Sequence, residues 1–222
     1  MPNFMKSFDK INLEELQQIY NAIADQFNPE AYSKLFKAKE RVSRHFPFEN
    51  DQYKYIPVTE SQGPLSEASL ESYELDRKSE FLKKTLNQDH DYFDPSMSEF
   101  GYTEYADYIT KEHKATLLKA LNFKFSRVRF AILEPNATIQ EHVDLPLESG
   151  LRIHIPLYTH QDCQFFVSRD GSRYSKHFPS DGHLYFLNTA FPHSVKNAST
   201  KTRVHLVVNC LDLDLLQKFQ EI

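Results

Sequence analysis

The segment Ile139–Leu157 reads IQEHVDLPLESGLRIHIPL, and its last seven residues alternate between two kinds of side chain. Residues i and i+2 of a strand point to the same face, so Arg152 and His154 are predicted to share one face while leucine and isoleucine cover the other. An apolar strand face needs a second layer of structure to cover it. The segment therefore predicts one strand of a layered β structure, with polar groups on its opposite face.

Short β segments with turn signals surround this strand, from residue 122 to residue 212. Asp170-Gly171 and Asp181-Gly182 are predicted turns, because Asp and Gly tolerate the backbone angles of tight turns. About seven or eight short strands within roughly 90 residues indicate a barrel or a sandwich, with the jelly roll as one solution. The predicted strands include Phe123–Leu133, Leu151–Leu157, Gln164–Ser168, His183–Leu187, Ser194–Lys196 and Val204–Cys210.

The region before residue 123 is predicted to be mainly helical and to pack on the barrel, because apolar residues recur there at helical spacing. Asn28-Pro29 is typical of the start of a helix. The predicted elements are helices from Leu13 to Phe27 and from residue 29 to Phe46, a loop over 47–67 with a short strand at Tyr53–Val58, a charged helix over Ser69–Leu86, a loop over Asn87–Gly101 and a helix from Tyr105 to Leu121. The predicted domains are 1–122, the β core 123–212, and a C-terminal helix or tail over 213–222.

The composition describes a soluble globular protein of 222 residues, with 40% hydrophobic and 26% charged residues. A net charge of −5 and scattered basic residues give no expectation of a nucleic-acid or membrane partner. The first residues lack the apolar run of a signal peptide, and no window has the length of a membrane span. With only two cysteines, a disulfide framework is not expected, and the predicted location is the reducing cytoplasm.

Three residues form a candidate metal site. His142 and Asp144 are two residues apart in an extended segment, so both side chains can reach one ion. His193, from a distant strand, would complete a facial triad of two imidazoles and one carboxylate, which suits Fe(II) and leaves three positions open. The alternative is chance: HxD is a short motif, and a chain with 10 histidines easily contains a later histidine that would pass as the third ligand.

Two pairs of cationic and imidazole side chains add to this site. Arg152 and His154 share a strand face directly after the HxD motif, and Arg203 and His205 share a face of the last predicted strand. The planar fork of arginine matches a carboxylate, so these residues fit a dicarboxylate ligand. The alternative is that the arginines form structural ion pairs and the histidines are satisfied core residues. We favour that alternative for His205 and the functional interpretation for Arg203.

Four segments together resemble a known family. They are EPNATIQEHVD (Glu134–Asp144), LRIHIPL (Leu151–Leu157), FPHSVKN (Phe191–Asn197) and RVHLVVN (Arg203–Asn209). In the order and spacing of these segments, the chain resembles the aspartyl/asparaginyl β-hydroxylase branch of the 2-oxoglutarate- and Fe(II)-dependent oxygenases. That branch also includes bacterial proline cis-hydroxylases and other free-amino-acid hydroxylases. The resemblance covers roughly residues 123–212, and its motif order is far more specific than HxD alone.

The resemblance implies a mainly β fold with flanking helices, built on a double-stranded β-helix, a jelly roll of the cupin type. It implies the cofactor Fe(II), the cosubstrate 2-oxoglutarate and dioxygen. The implied metal ligands are His142, Asp144 and His193. Arg203 would pair with the distal carboxylate of 2-oxoglutarate, with Arg152 and His154 assisting around the cosubstrate.

Two positions refine the resemblance. Asp144 is present, whereas the endoplasmic-reticulum protein hydroxylases of the family lack this acid, which favours the bacterial small-molecule branch. Ala131 stands where those hydroxylases use a serine to help hold the cosubstrate, so this chain departs from them at that contact.

The substrate is predicted to be a small molecule, a free amino acid or a derivative, hydroxylated at an unactivated C–H bond with release of succinate and CO2. Arg127 and Arg129 are candidates for binding its carboxylate, and the alternative is that both are solvated or ion-paired. Two other functions stay open. One is hydroxylation of a protein or peptide side chain, and the other is a non-catalytic cupin-like module that binds a small acid.

Overall fold

The computed structural model describes residues 5–24, 53–61, 102–143 and 151–211. The helices predicted over 29–46 and 69–86, the loop predicted over 87–101, the segment 213–222 and the candidate ligand Asp144 lie outside the described residues.

Two helices and twelve strands occupy the described parts of the chain. The helices are α1 (Leu13–Ala24) and α2 (Lys111–Ala120). The strands are β1 (Met5–Lys10), β2 (Tyr53–Pro57), β3 (Thr59–Ser61), β4 (Tyr102–Tyr105), β5 (Phe125–Leu133), β6 (Thr138–His142), β7 (Leu151–Tyr158), β8 (Cys163–Arg169), β9 (Ser172–Lys176), β10 (His183–Leu187), β11 (His193–Asn197) and β12 (Arg203–Cys210).

The strands form two facing antiparallel sheets. The large sheet has the order β1-β10-β7-β12-β5-β2, the small sheet has the order β6-β11-β8-β9, and β3 and β4 pair separately. The eight strands β5–β12 thus divide four and four between the sheets, which is the arrangement of a double-stranded β-helix. This confirms the predicted fold and the predicted seven or eight strands of the core.

The region before residue 123 contributes more strand than its helical pattern predicts. β1 pairs with β10 at one edge of the large sheet. β2, which confirms the short strand predicted over Tyr53–Val58, pairs with β5 at the other edge. An uncovered sheet edge exposes unpaired backbone groups, so an extended segment of modest β propensity is enough to pair there. The large sheet therefore extends into the region that was predicted to be mainly helical.

The helix predicted from Tyr105 begins six residues later than expected. Tyr105 ends β4, and α2 begins at Lys111 with Thr110 as its N-cap, whose side chain accepts a hydrogen bond from the His113 backbone N–H at 3.2 Å. The periodic spacing misled the prediction because a capping threonine outweighs apolar spacing in choosing where a helix starts.

The large sheet separates two apolar cores. On its outer face, Phe130, Ile155 and Leu206 pack with Leu16 of α1 and Leu117 of α2. The predicted helix from Leu13 is thus present and covers the barrel from outside. Neither described helix has the length and apolar character to cross a membrane.

The second core lies between the two sheets. Leu133 and Leu187 of the large sheet pack there with Phe165, Val167 and Val195 of the small sheet. We call the face of the large sheet that points to this core its inner face. Because side chains alternate along a strand, the inner face also carries the polar residues that alternate with the outer apolar ones. The candidate site lies on this face.

Two glycines show how the turns differ in what they tolerate. Asp170 and Gly171, with φ of 51° and 74°, form the two-residue turn that joins β8 and β9, as predicted. Gly182, with φ of 85°, precedes β10, and a Cβ there would lie 2.7 Å from the backbone oxygen of Ile11. At Gly171 a Cβ would meet nothing within 4 Å.

We expect Gly182→Ala to destabilise the protein more than Gly171→Ala. The Gly171 variant loses only the free energy needed to hold alanine in the left-handed backbone conformation, about 1–2 kcal/mol. The Gly182 variant adds a steric clash with the segment that follows β1, typically about 1–3 kcal/mol more. Urea unfolding of both variants measures the difference, and equal losses of stability would contradict this account of the β1–β10 edge.

Candidate metal and carboxylate site

Two of the predicted metal ligands are neighbours in the small sheet. His142 ends β6 and His193 begins β11, and the two residues are direct partners in the antiparallel register. Their ring centroids are 4.3 Å apart with an interplanar angle of 51°. His193 is buried and His142 is half-buried. The fold therefore brings together two imidazoles that are 51 residues apart in sequence.

Both imidazoles are held in the same way. Nδ1 of His142 lies 2.7 Å from the Gln140 carbonyl oxygen, and Nδ1 of His193 lies 2.9 Å from the Phe191 carbonyl oxygen. A carbonyl oxygen only accepts hydrogen bonds, so each Nδ1 must be the protonated nitrogen. The lone pair then sits on Nε2, which is the tautomer that a metal ion needs.

The third predicted ligand, Asp144, lies outside the described residues. Within the described ranges, no group of three His, Cys, Asp or Glu side chains is arranged to hold a metal ion. The pair of histidines is thus the part of the candidate triad that the structure describes.

Arg203 begins β12 and is almost completely buried, with 2% of its surface exposed. Its Nε and Nη1 atoms have no hydrogen-bond partner among the described residues. The guanidinium lies 5.6 Å from the centroid of the Phe165 ring and hydrogen-bonds the Cys163 thiol. Burial lowers the pKa of Arg203, although the group stays charged. A buried cation without a carboxylate is costly unless a ligand supplies one.

His154 and His205 lie near Arg203 on the inner face, 7% and 1% exposed. Both ring nitrogens of each residue are buried without a hydrogen-bond partner in the described structure. We call Arg203, His154 and His205 the polar cluster. An unsatisfied buried polar group costs about 1–3 kcal/mol of stability. The four ring nitrogens of His154 and His205 therefore indicate a place that a polar ligand fills.

Burial is the main cause that lowers the pKa of both histidines well below the usual value, and the charge of Arg203 lowers both further. Arg152 and Arg129 also contribute at His154. Both imidazoles are therefore neutral at pH 7. A neutral imidazole can donate a hydrogen bond without adding charge beside an arginine.

An aromatic wall fixes the orientation of the polar cluster. The His205 ring stacks on Phe165, with centroids 5.7 Å apart, and His154 meets the same ring edge-on at 5.1 Å. Phe165 in turn stacks on Phe178 at 4.4 Å. These contacts hold the two imidazoles in place before any ligand arrives.

The three remaining arginine candidates occupy different positions. Arg152 is half-buried and lies opposite Asn209, while Arg129 is buried opposite Val207. Arg127 has a φ of 45° at a shift in the β5–β12 register, and its carbonyl oxygen accepts a hydrogen bond from Arg129 Nη1 at 3.1 Å. This irregularity is typical of a β-bulge, so Arg127 and Arg129 do not follow the regular alternation of a strand.

Sequence reasoning misjudged one member of the cluster. His205 was interpreted as a satisfied core histidine, but neither of its nitrogens has a described partner. The signal was present in the pattern RVH, which places His205 on the same strand face as Arg203. Spacing alone does not tell whether a buried histidine finds a partner, because the partner would come from another strand.

The two neutral histidines predict a pH dependence of stability. In the unfolded chain each takes up a proton near pH 6.5, whereas in the folded protein it does so only at lower pH. The unfolded state then binds more protons, so the free energy of unfolding should fall as the pH drops from about 6.5 toward the folded-state pKa values.

We expect His205→Gln to reduce the dependence of the free energy of unfolding on pH, since one of the two buried imidazoles is removed. Urea unfolding between about pH 7.5 and pH 5 measures it. The control is His160→Gln, a half-buried histidine paired with Asp162 outside the barrel. An equal slope in the native protein and the His205 variant would contradict the assignment of His205 as neutral in the folded state.

The sequence matches a known family over about half of its length. Residues 103–212 match the model of the family described as aspartyl/asparaginyl β-hydroxylase. The matched range contains β5 to β12, and with them the histidine pair and the polar cluster. No curated protein matches the chain.

Solved structures give more distant similarities. Oxalate decarboxylase from Bacillus subtilis is 16% identical over 45% of this chain, with a TM-score of 0.33. The chain covers 23% of the length of that protein. An oxidoreductase of the 2OG-Fe(II) oxygenase family from Burkholderia pseudomallei is 12% identical over 90% of both chains, with a TM-score of 0.38.

Proposed function

Because the chain belongs, through residues 103–212, to the aspartyl/asparaginyl β-hydroxylase family, we propose that it is an Fe(II)- and 2-oxoglutarate-dependent oxygenase. Its proposed reaction hydroxylates an unactivated C–H bond of a free amino acid or a small amino-acid derivative. Dioxygen and 2-oxoglutarate are consumed, and succinate and CO2 are released.

The observation that carries this proposal is the buried guanidinium of Arg203. Its partnerless Nε and Nη1 atoms point to a missing anion, and within the described residues no buried Asp or Glu is available to neutralise it. A dicarboxylate cosubstrate supplies that anion, and the planar fork of arginine binds a carboxylate with two hydrogen bonds. The polar cluster thus fits the distal end of 2-oxoglutarate.

The histidine pair fits the metal. With Nδ1 of each ring bonded to a backbone carbonyl, His142 and His193 present Nε2 as the ligand atom. We assign Asp144 as the third ligand, because it follows His142 by two residues. When bound, Fe(II) supplies the oxidative chemistry, and the side chains around it bind, orient and shield the reactants.

The register supports a division of the inner face into two ends. Arg152 lies opposite Asn209, which is six residues along β12 from Arg203, so the two backbone positions are roughly 20 Å apart. We infer that Arg152 serves the primary substrate, not the distal carboxylate of the cosubstrate. Arg129 is buried opposite Val207, level with His154 on the other side of β12, and is the second candidate for the substrate carboxylate.

We also propose that the enzyme works in the cytoplasm. The chain has only two cysteines, and Cys163 is buried as a thiol outside any disulfide bond, which is compatible with a reducing compartment.

The test begins without oxygen. Fe(II) and then 2-oxoglutarate are added to the metal-free protein, and the visible metal-to-ligand charge-transfer band is recorded. Succinate formation is then measured with a panel of free amino acids and a matched panel with blocked amino and carboxyl groups. We expect a band, and succinate formation that depends on the free carboxylate.

The outcomes separate the three functions. Turnover of blocked derivatives alone favours a protein or peptide hydroxylase. Iron binding without a charge-transfer band would show that 2-oxoglutarate is not the cosubstrate, and it favours a module that binds a small acid. In the favoured case, Arg152→Leu should raise the KM for the amino acid while leaving the KM for 2-oxoglutarate nearly unchanged.

A further inference from the structure

We propose that His205 is a further carboxylate-binding residue of the site, donating a hydrogen bond from its ring to the same ligand carboxylate that Arg203 binds. This inference rests on the proposed function for the identity of the ligand. It goes beyond that function in naming a residue that neither the metal triad nor the arginine clamp requires.

The position of His205 brings it close to Arg203. Both residues are on β12, two positions apart, so their side chains leave the same face of the strand. Both also contact one ring: the Arg203 guanidinium lies 5.6 Å from the Phe165 centroid, and the His205 ring lies 5.7 Å from it. A carboxylate placed beside the guanidinium is therefore beside the imidazole as well.

The cross-strand neighbours of His205 give it no partner within the barrel. In the register it lies opposite Ala131 on one side and Pro156 on the other. Neither side chain has a polar atom. With 1% of its surface exposed and both nitrogens unpartnered, His205 is not satisfied by solvent or by any of the described residues.

The chemistry of the ring fits a donor role. Burial disfavours a positive charge on the ring, and the neighbouring Arg203 disfavours it further, so the imidazole is neutral and has one N–H group. A neutral donor adds a hydrogen bond to the anion without repelling the guanidinium. Stacking on Phe165 holds the ring in one orientation, so little freedom is lost when the ligand binds.

His154 does not replace His205 in this role. It lies opposite Val207, further along β12 from Arg203, and its ring centroid is 5.7 Å from that of His205. The order along the inner face is therefore Arg203, His205, His154. The residue nearest the guanidinium is the one predicted to share its carboxylate.

The test uses glutarate, a five-carbon dicarboxylate without the keto group, and the complete metal-free protein. Isothermal titration calorimetry compares the native protein with His205→Leu and His205→Gln, and His160→Asn serves as the surface control. Circular dichroism and thermal unfolding verify that each variant is folded. The titration reports the carboxylate site itself, without metal or turnover.

We expect His205→Leu to weaken glutarate binding by about tenfold or more, as for loss of one hydrogen bond to a charged group. His205→Gln keeps an N–H donor and should bind within about threefold of the native protein, as should His160→Asn. Equal losses in the Leu and Gln variants, unchanged affinity in folded His205→Leu, or no glutarate binding by the native protein would each overturn the proposal.

A second readout separates this inference from the proposed function. The charge-transfer band is titrated with 2-oxoglutarate in the Fe(II)-loaded native protein and in His205→Leu. If no band forms while His205→Leu still weakens glutarate binding, the oxygenase proposal fails and the role of His205 stands. If the band forms with equal 2-oxoglutarate affinity in both proteins, the role of His205 fails and the oxygenase proposal stands.

Discussion

Replacing Arg203 by methionine should abolish productive 2-oxoglutarate binding and, at the same time, stabilise the metal-free protein. Truncating one partner of a buried hydrogen-bonded charge pair costs about 2–5 kcal/mol, so the Kd for 2-oxoglutarate should rise by about a hundredfold or more. The stability gain follows because the substitution removes a buried cation that has no carboxylate partner among the described residues, and an apolar chain of similar size fills its place. Such replacements are neutral or stabilising by about 1–4 kcal/mol.

The two effects have opposite signs, which distinguishes a ligand clamp from a structural ion pair. If Arg203 were paired with an acid of the fold, its removal would destabilise the protein. Anaerobic titration of the charge-transfer band measures the affinity, and urea unfolding of the metal-free protein measures the stability. A clear loss of stability in a folded Arg203→Met variant would contradict the assignment.

Arg173 provides a matched control for this substitution. Its guanidinium lies 4.3 Å from the ring centroid of Phe166, the residue next to Phe165 on β8, and it hydrogen-bonds Ser194 at 3.1 Å. Arg173 is exposed, whereas Arg203 is buried. Arg173→Met removes the same chemical group from an equivalent aromatic contact outside the barrel, and it should leave 2-oxoglutarate affinity unchanged.

Replacing His193 by alanine should remove stoichiometric iron binding while the β-helix stays folded. Loss of a residue that merely supports a metal ligand costs about 10- to 100-fold in affinity, and loss of a ligand should cost more. His142→Ala is expected to act in the same way, because the two imidazoles meet across β6 and β11. Iron content after desalting, measured by atomic absorption, reports the result.

His177 is the control for the histidine pair. Its Nδ1 also lies 3.0 Å from a backbone carbonyl, that of Cys163, so it shares this contact with the histidine pair but not their register pairing across β6 and β11. His177→Ala should retain native iron content. If iron stays bound in both His193→Ala and His142→Ala, the metal lies elsewhere in the protein. If all three variants lose iron, the effect is one of folding, which circular dichroism would reveal.

Local patterns in the sequence predicted most of the barrel. Residues in β12 alternate between an apolar outer face and a polar inner face, and the same period appears in β7. The Asp170-Gly171 pair predicted the turn of the β8–β9 hairpin, because few other residues tolerate the positive φ angles of that turn. These features depend on neighbours within a few residues, which is why a single sequence is enough to predict them.

Contacts between distant segments were harder to predict. The pairing of β1 and β2 with the edges of the large sheet depends on which edges the rest of the fold leaves open. The bulge at Arg127 depends on a register shift against β12, and no residue type in β5 predicts it. A similar limit applies to Asp144, whose role as a metal ligand stays a prediction from its spacing.

By itself, the sequence determined a barrel or sandwich of short strands, the two faces of its central strands and the residue types suited to a metal and a dicarboxylate. These follow from side-chain alternation and from the chemistry of His, Asp and Arg, whereas the double-stranded β-helix was implied by the family resemblance. Only the tertiary structure decided that His142 and His193 meet across one pair of strands, that Arg152 lies far from Arg203, and that His205 has no partner in the described fold. The physical reason is that register and burial are set by contacts between strands, and a one-dimensional pattern does not contain them.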